Sequence, residues 1–210
     1  MNARLIYVMD PMCSWCWGFA PVAQALAGQA AAHGVATQLV VGGLRREAAP
    51  LDAVGRERIK CYWHAVQEAS GQPFDFERGL PAGLVYDTEP ACRALVAARL
   101  LDGAQVLSLA QLIQQAFYTE GCDVTQAPQL VALAERAGFA RDGFAECFDS
   151  QAAREATQAD FDWAQNLGIA GFPTLLAERD GQLALLTNGY QPLPPLAALL
   201  DRWLERNAHA

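Results

Sequence analysis

The stretch RLIYVMDPMCSWCWGF, Arg4 to Phe19, changes character twice within sixteen residues. Arg4 to Met9 is a short, β-favouring apolar run. Asp10-Pro11 closes it, because a proline preceded by aspartate stops a strand and starts a turn. Beyond the turn, Phe19, Val22, Ala23, Leu26, Ala27 and Ala30 recur at helical spacing and define one apolar face over three turns. Cys13 and Cys16 therefore stand at a strand-to-helix corner, three residues apart on the first helical turn. Two sulfurs so placed can form, open and re-form a disulfide.

Competing readings of the pair are weaker. A structural zinc site needs four ligands, whereas Cys61, Cys92, Cys122 and Cys147 are scattered singly and His33, His64 and His209 form no close pair. Haem attachment needs a histidine after the second cysteine, and the residue there is Trp17. Neither a metal nor a bound cofactor is expected. Redox exchange requires a thiolate, and the unpaired N–H groups and dipole of a helix N-terminus favour an anion at Cys13. Cys16, one turn inside and among Trp15, Trp17 and Phe19, reads as the resolving thiol. Cys13 would attack a substrate disulfide, and Cys16 would displace the mixed disulfide.

A second motif lies far along the chain. Gly171-Phe172-Pro173-Thr174 resembles the segment that carries the cis-proline of the thioredoxin superfamily. Only about one X–Pro bond in twenty is cis in folded proteins, so the cis reading of Pro173 comes from the resemblance. Thr174 to Glu178 and Leu183 to Thr187 read as strands about an Asp180-Gly181 turn, and Leu196, Leu199, Leu200, Trp203 and Leu204 as a terminal amphipathic helix behind Pro194-Pro195. Pro21, five residues after Cys16, matches a thioredoxin proline. The surplus over a bare thioredoxin falls between Leu44 and about Ala153, where helical patterns dominate and no strand is evident. Helices are expected at Arg56 to Ala69, at Glu89 to Leu101 after cap candidates Asp87 and Thr88, along Val106 to Phe117, and after Thr125.

The chain is thus identified as resembling the DsbA-like family, and within it the FrnE-like, protein-disulfide-isomerase branch. The resemblance implies an α/β thioredoxin fold with a large all-helical insertion, residues 1–45 and 154–210 forming the discontinuous thioredoxin-like unit and 46–153 the insertion. It implies a thiol-disulfide oxidoreductase or protein-disulfide isomerase built on Cys13, Cys16 and Pro173, acting on protein or small-thiol disulfides, with glutathione admitted as co-substrate. The same fold hosts kappa-class glutathione transferases and 2-hydroxychromene-2-carboxylate isomerases, which makes a glutathione-dependent isomerase or transferase the alternative. Those relatives usually carry serine at the position of Cys13, so the intact pair favours exchange.

Trp15, Phe172 and Tyr190 are the candidates for substrate contact, while Trp17 reads as core. Asp10 has two readings of equal weight: a proton relay for the cysteines, or a turn residue bonded to the backbone that follows it. His64 reads as a helix-surface residue. Cys61, Cys92 and Cys147 read as small buried hydrophobes on helices, and Cys122, in a turn, as the most exposed of the single cysteines. The formal net charge of −8 over 210 residues excludes nucleic-acid binding by charge. No apolar run approaches the ~20 residues of a membrane span. The N-terminus enters the first strand without a signal-like segment, so a cytoplasmic setting is expected, and there a reductase or isomerase is easier to sustain than net disulfide formation.

Overall fold

A computed structural model describes residues 3–205; His209 lies outside them. The apolar run at the N-terminus forms β1 (Ala3–Met9), followed by α1 (Ser14–Ala32) and β2 (Ala36–Val41). Near the other end β5 (Thr174–Arg179), β6 (Gln182–Asn188) and α8 (Leu193–Glu205) complete the unit. The sheet order is β2-β1-β5-β6, with β1 parallel to β2 and antiparallel to β5. A central strand covered on both faces needs apolar side chains at every position, and β1 is a continuous run for that reason. Leu5, Tyr7 and Met9 face the main core with Phe19, Val22 and Leu26 of α1. Ile6 and Val8 face the opposite side, where Ala164 of α7 (Gln151–Asn166) packs with Val40 and Leu176.

Between β2 and β5 lie α2 (Ala53–Ser70), α3 (Glu89–Leu101), α4 (Val106–Thr119), α5 (Ala127–Arg136), α6 (Arg141–Asp149) and α7. Two features depart from the sequence reading. A two-stranded antiparallel ribbon, β3 (Arg46–Pro50) with β4 (Val85–Asp87), occupies a stretch read as strand-free. All five β3 residues are exposed and β4 is three residues long, so neither carries an apolar alternation. Thr125 does not cap α5. Its hydroxyl donates to Asp123, and Gln126 takes the cap position.

The insertion is tied to the sheet at its edge. Arg99 of α3 makes two hydrogen bonds to the Asp160 carboxylate of α7, at 2.7 and 2.9 Å, and a third to the Leu39 carbonyl of β2. The same carboxylate accepts from the Val41 amide. Edge strand β2 thus has an N–H and a C=O satisfied by side chains.

Candidate active site

Cys13 occupies the N-cap of α1 in an extended conformation, and its carbonyl accepts from the Cys16 and Trp17 amides as the helix begins. The turn before it is held from three directions. Asp10, fully buried, accepts from the Met12 amide on one carboxylate oxygen at 2.8 Å. Its other oxygen accepts from the Leu44 amide at 2.7 Å, the Thr88 hydroxyl at 2.6 Å and the Cys92 thiol at 3.4 Å. Tyr86 of β4 donates to the Met12 carbonyl at 2.6 Å. Of the two readings of Asp10, the geometry favours the bonded turn residue, and the bonds reach beyond the turn to the β2–β3 connection and the start of α3. Burial raises the Asp10 carboxyl above its ordinary value, and the four donors oppose that shift without cancelling it.

All six cysteines are free thiols. Cys13 retains 7% of its surface and Cys16 none, which is the order expected of an attacking and a resolving thiol. The Cys13 thiol donates to the Phe172 carbonyl at 3.6 Å. The Phe172–Pro173 peptide bond is cis. Around it, the Gly189 amide donates to the Pro173 carbonyl at 2.7 Å, and Thr174 donates to the Gly171 carbonyl at 2.8 Å. The second motif is therefore folded against the first thiol by contacts from β5 and the end of β6. Burial, and after it the adjacent Cys13, push the Cys16 thiol well above its usual value.

The three aromatic candidates divide. Trp15 and Tyr190 are half-buried neighbours with ring centroids 5.7 Å apart, and the Tyr190 hydroxyl donates to the Ala69 carbonyl at the end of α2. Phe172 instead lines a hollow of about 430 Å³ with Leu44, Arg46, Phe161, Gln165 and Ile169, in which neither of the other two takes part. Its ring lies over Gly42, where a Cβ would stand 2.0 Å from a ring carbon. Trp17 is core, stacked 6.0 Å from Tyr118 and donating to the Pro73 carbonyl.

The single cysteines correct the sequence reading. Cys61 is exposed, while Cys122 and Cys147 are half-buried and Cys92 is fully buried beside Asp10. On α2 the buried positions are Gly55, Ile59, Trp63 and Val66, spaced by four, four and three, and Cys61 falls between them on the outer face. His64 is exposed and stacked 4.0 Å over Phe76. Sequence reasoning missed Tyr86 and read Thr88 only as a cap of α3; Thr88 does stand at that N-cap, but its hydroxyl bonds Asp10, and both residues hold the active-site turn from the insertion. Among the described residues no group of three or more His, Cys, Asp or Glu could hold a metal ion.

The family model of the DSBA-like thioredoxin domain matches residues 4–201, and the chain belongs to that family. It is 40% identical to a protein from Nitrosomonas europaea whose crystal structure is described as that of a candidate protein disulfide isomerase, each chain covering the other fully with a TM-score of 0.91. It is 30% identical to the cytosolic disulfide reductase DsbM of Pseudomonas aeruginosa over 97% of this chain and 99% of that one, TM-score 0.81. That reductase also has a structure with GSH. A curated relative, the ClpXP adapter protein SpxH of Halalkalibacterium halodurans, is 23% identical over 204 residues, and the chain spans 66% of its length.

Proposed function

We propose that the chain is a thiol-disulfide oxidoreductase or isomerase in which Cys13 and Cys16 alternate between dithiol and disulfide, with glutathione or another small thiol as one partner. The observation that carries this reading is the juxtaposition of a buried thiol at the N-cap of α1 that retains 7% of its surface, a second thiol one turn later that retains none, and the Phe172 carbonyl facing the first sulfur. Likeness to a cytosolic disulfide reductase supports the reducing direction and a cytoplasmic setting. Its GSH-bound structure supports glutathione as co-substrate. Trp15 and Tyr190 offer an aromatic surface beside Cys13 to protein or small-thiol disulfides. A 2-hydroxychromene-2-carboxylate isomerase shares the fold at 18% identity, which extends to architecture alone. No helix among the described residues is long and apolar enough to cross a membrane.

The test is thiol-disulfide exchange with glutathione in a Cys61→Ser background, which removes the exposed thiol. Cys13→Ser should abolish disulfide reduction. Cys16→Ser should stop after one step and accumulate a Cys13–glutathione mixed disulfide, seen as a mass increase. Full activity in Cys13→Ser would reject the reading.

A further inference from the structure

The core between β1, α1 and α4 contains polar atoms that the exchange described above does not use. Tyr7 of β1 is 3% exposed and Gln114 of α4 is 2% exposed. The Tyr7 hydroxyl and the Gln114 amide nitrogen are both buried without a hydrogen-bond partner. An orphaned buried polar group costs about 1–3 kcal/mol, so two facing one space call for an explanation. Both residues line the same cavity, about 20 Å³ in volume, between β1, α1 and α4. Roughly 10–15 Å³ suffices for one water molecule when polar partners are present. The other polar side chains lining it are Gln24 and Gln111, an exposed pair bonded to each other at 2.7 Å. The cavity thus runs from a phenol in the core to amides at the surface.

We propose that Tyr7 is the proton relay of the resolving thiol, acting through a single water held between its hydroxyl and Gln114 and communicating with solvent at Gln24 and Gln111. The inference rests on the Cys13/Cys16 exchange proposed above and assigns the proton that exchange must move. In the resolving step the Cys16 sulfur forms a bond to the Cys13 sulfur. The bond from Cys13 to the substrate sulfur breaks, and its electron pair leaves on the substrate as a thiolate that takes a proton from solvent. The Cys16 proton passes to the Tyr7 oxygen as the phenolic proton passes to the water, so Tyr7 is neutral before and after. Two electrons move from the dithiol to the substrate disulfide, and no other reactant is needed.

Electrostatics agree with a relay. Burial raises the Cys16 thiol, which therefore does not shed its proton unaided near neutral pH. Burial, then the charges of Cys16 and Cys13, hold the Tyr7 phenol in its neutral form, close enough to Cys16 to interact although outside normal hydrogen-bond geometry. Asp10 already has both carboxylate oxygens occupied by donors, and the Tyr118 hydroxyl, likewise buried without a partner, does not line this cavity, whereas Tyr7 does.

The experiment follows the Cys13–glutathione mixed disulfide by quenched-flow mass spectrometry, with glutathione disulfide added to reduced protein, in the Cys61→Ser background and in the same background with Tyr7→Phe. Phenylalanine keeps the ring that packs 5.9 Å from Phe19 and removes only the hydroxyl. Formation of the intermediate should proceed at the same rate, its decay should slow on the order of 10²-fold, and the solvent deuterium isotope effect on decay should change. Gln114→Met, which leaves Tyr7 in place and removes the second anchor of the water, should also slow decay and carries the test if Tyr7→Phe does not fold. Equal decay in variant and parent overturns the relay while leaving the Cys13/Cys16 reading intact. An intermediate that never forms in any of the proteins rejects that reading and the relay with it.

Discussion

Asp10 shows how much one buried side chain in this fold holds together. Its carboxylate joins the active-site turn at Met12, the β2–β3 connection at Leu44 and the start of α3 at Thr88. Asn at this position would turn an NH₂ group toward donors and leave at least one of them unpaired, at a cost of about 1–3 kcal/mol. The pH dependence has a definite sign. The folded-state pKa of Asp10 is raised by burial, so the native protein binds the proton more tightly than the unfolded chain does. The stabilisation linked to this proton is fully present below the ordinary aspartate value of 3.8 and is lost as pH rises through the folded value. Urea unfolding of wild type and Asp10→Asn from pH 4 upward should therefore show the stability advantage of the wild type largest at the acid end and shrinking with pH. A difference that grows with pH would mean that the hydrogen bonds outweigh burial. The sequence showed Asp10 before a proline in a turn, but it could not show Leu44, Thr88 or Cys92 converging on it, because those contacts span 34 to 82 residues. Tyr7 was hidden differently: in an apolar run a tyrosine reads as core, and only the packing reveals a hydroxyl with nothing to bond.

At the level of elements, legibility followed hydrophobic period. β1, α1, β5, β6 and α8 carry clear patterns because each packs on the sheet, and the cysteine pair and the Phe172–Pro173 segment mark their junctions. The β3–β4 ribbon has no such pattern, since its first strand faces solvent and its second is only three residues long. Its role is nonetheless specific, for β4 supplies Tyr86 to the Met12 carbonyl. The end of β2 has a comparable role that a bare glycine does not announce. Gly42 donates to the Met9 carbonyl at 2.8 Å and leaves its missing Cβ as the seat of the Phe172 ring. Gly42→Ala would bring a methyl within 2.0 Å of the tip of that ring, so the Phe172 ring must leave its seat, and the segment bearing the carbonyl that faces Cys13 loses this anchor. Overpacking of this kind costs about 1–3 kcal/mol. Gly42→Ala should lower both thermal stability and the exchange rate at Cys13, whereas Gly28→Ala, with no atom within 4 Å of the added methyl, should leave exchange unchanged. An unaltered exchange rate in Gly42→Ala would show that the Phe172 seat is not needed for the chemistry.

Across the whole molecule, the insertion and the thioredoxin unit share one core, and beside the polar contacts at Asp10, Met12 and Trp17 a bidentate ion pair between Arg99 and Asp160 joins them at the sheet edge. This pair links α3 and α7 to edge strand β2, the strand whose end carries Gly42. It is partly exposed, with side-chain accessibilities of 21% and 12%, so solvent screens part of its attraction. The bidentate geometry and the two backbone groups it satisfies make its loss larger than that of a surface ion pair. Arg99→Met removes the guanidinium while keeping an unbranched stem, strands the Asp160 carboxylate and unpairs the Leu39 carbonyl. A loss of about 1–3 kcal/mol is expected. Replacing both residues, Arg99→Met with Asp160→Leu, removes the stranded carboxylate but still leaves Leu39 and Val41 backbone groups without side-chain partners. The double variant should therefore recover part of the loss and remain below wild type. Chemical unfolding of the single and double variants measures this directly. If Asp160 serves the β2 edge as much as it serves Arg99, Asp160→Leu alone will also free the Val41 amide and destabilise more than Arg99→Met. A double variant as stable as wild type would show that the shared apolar core, rather than this clamp, holds the insertion against the sheet.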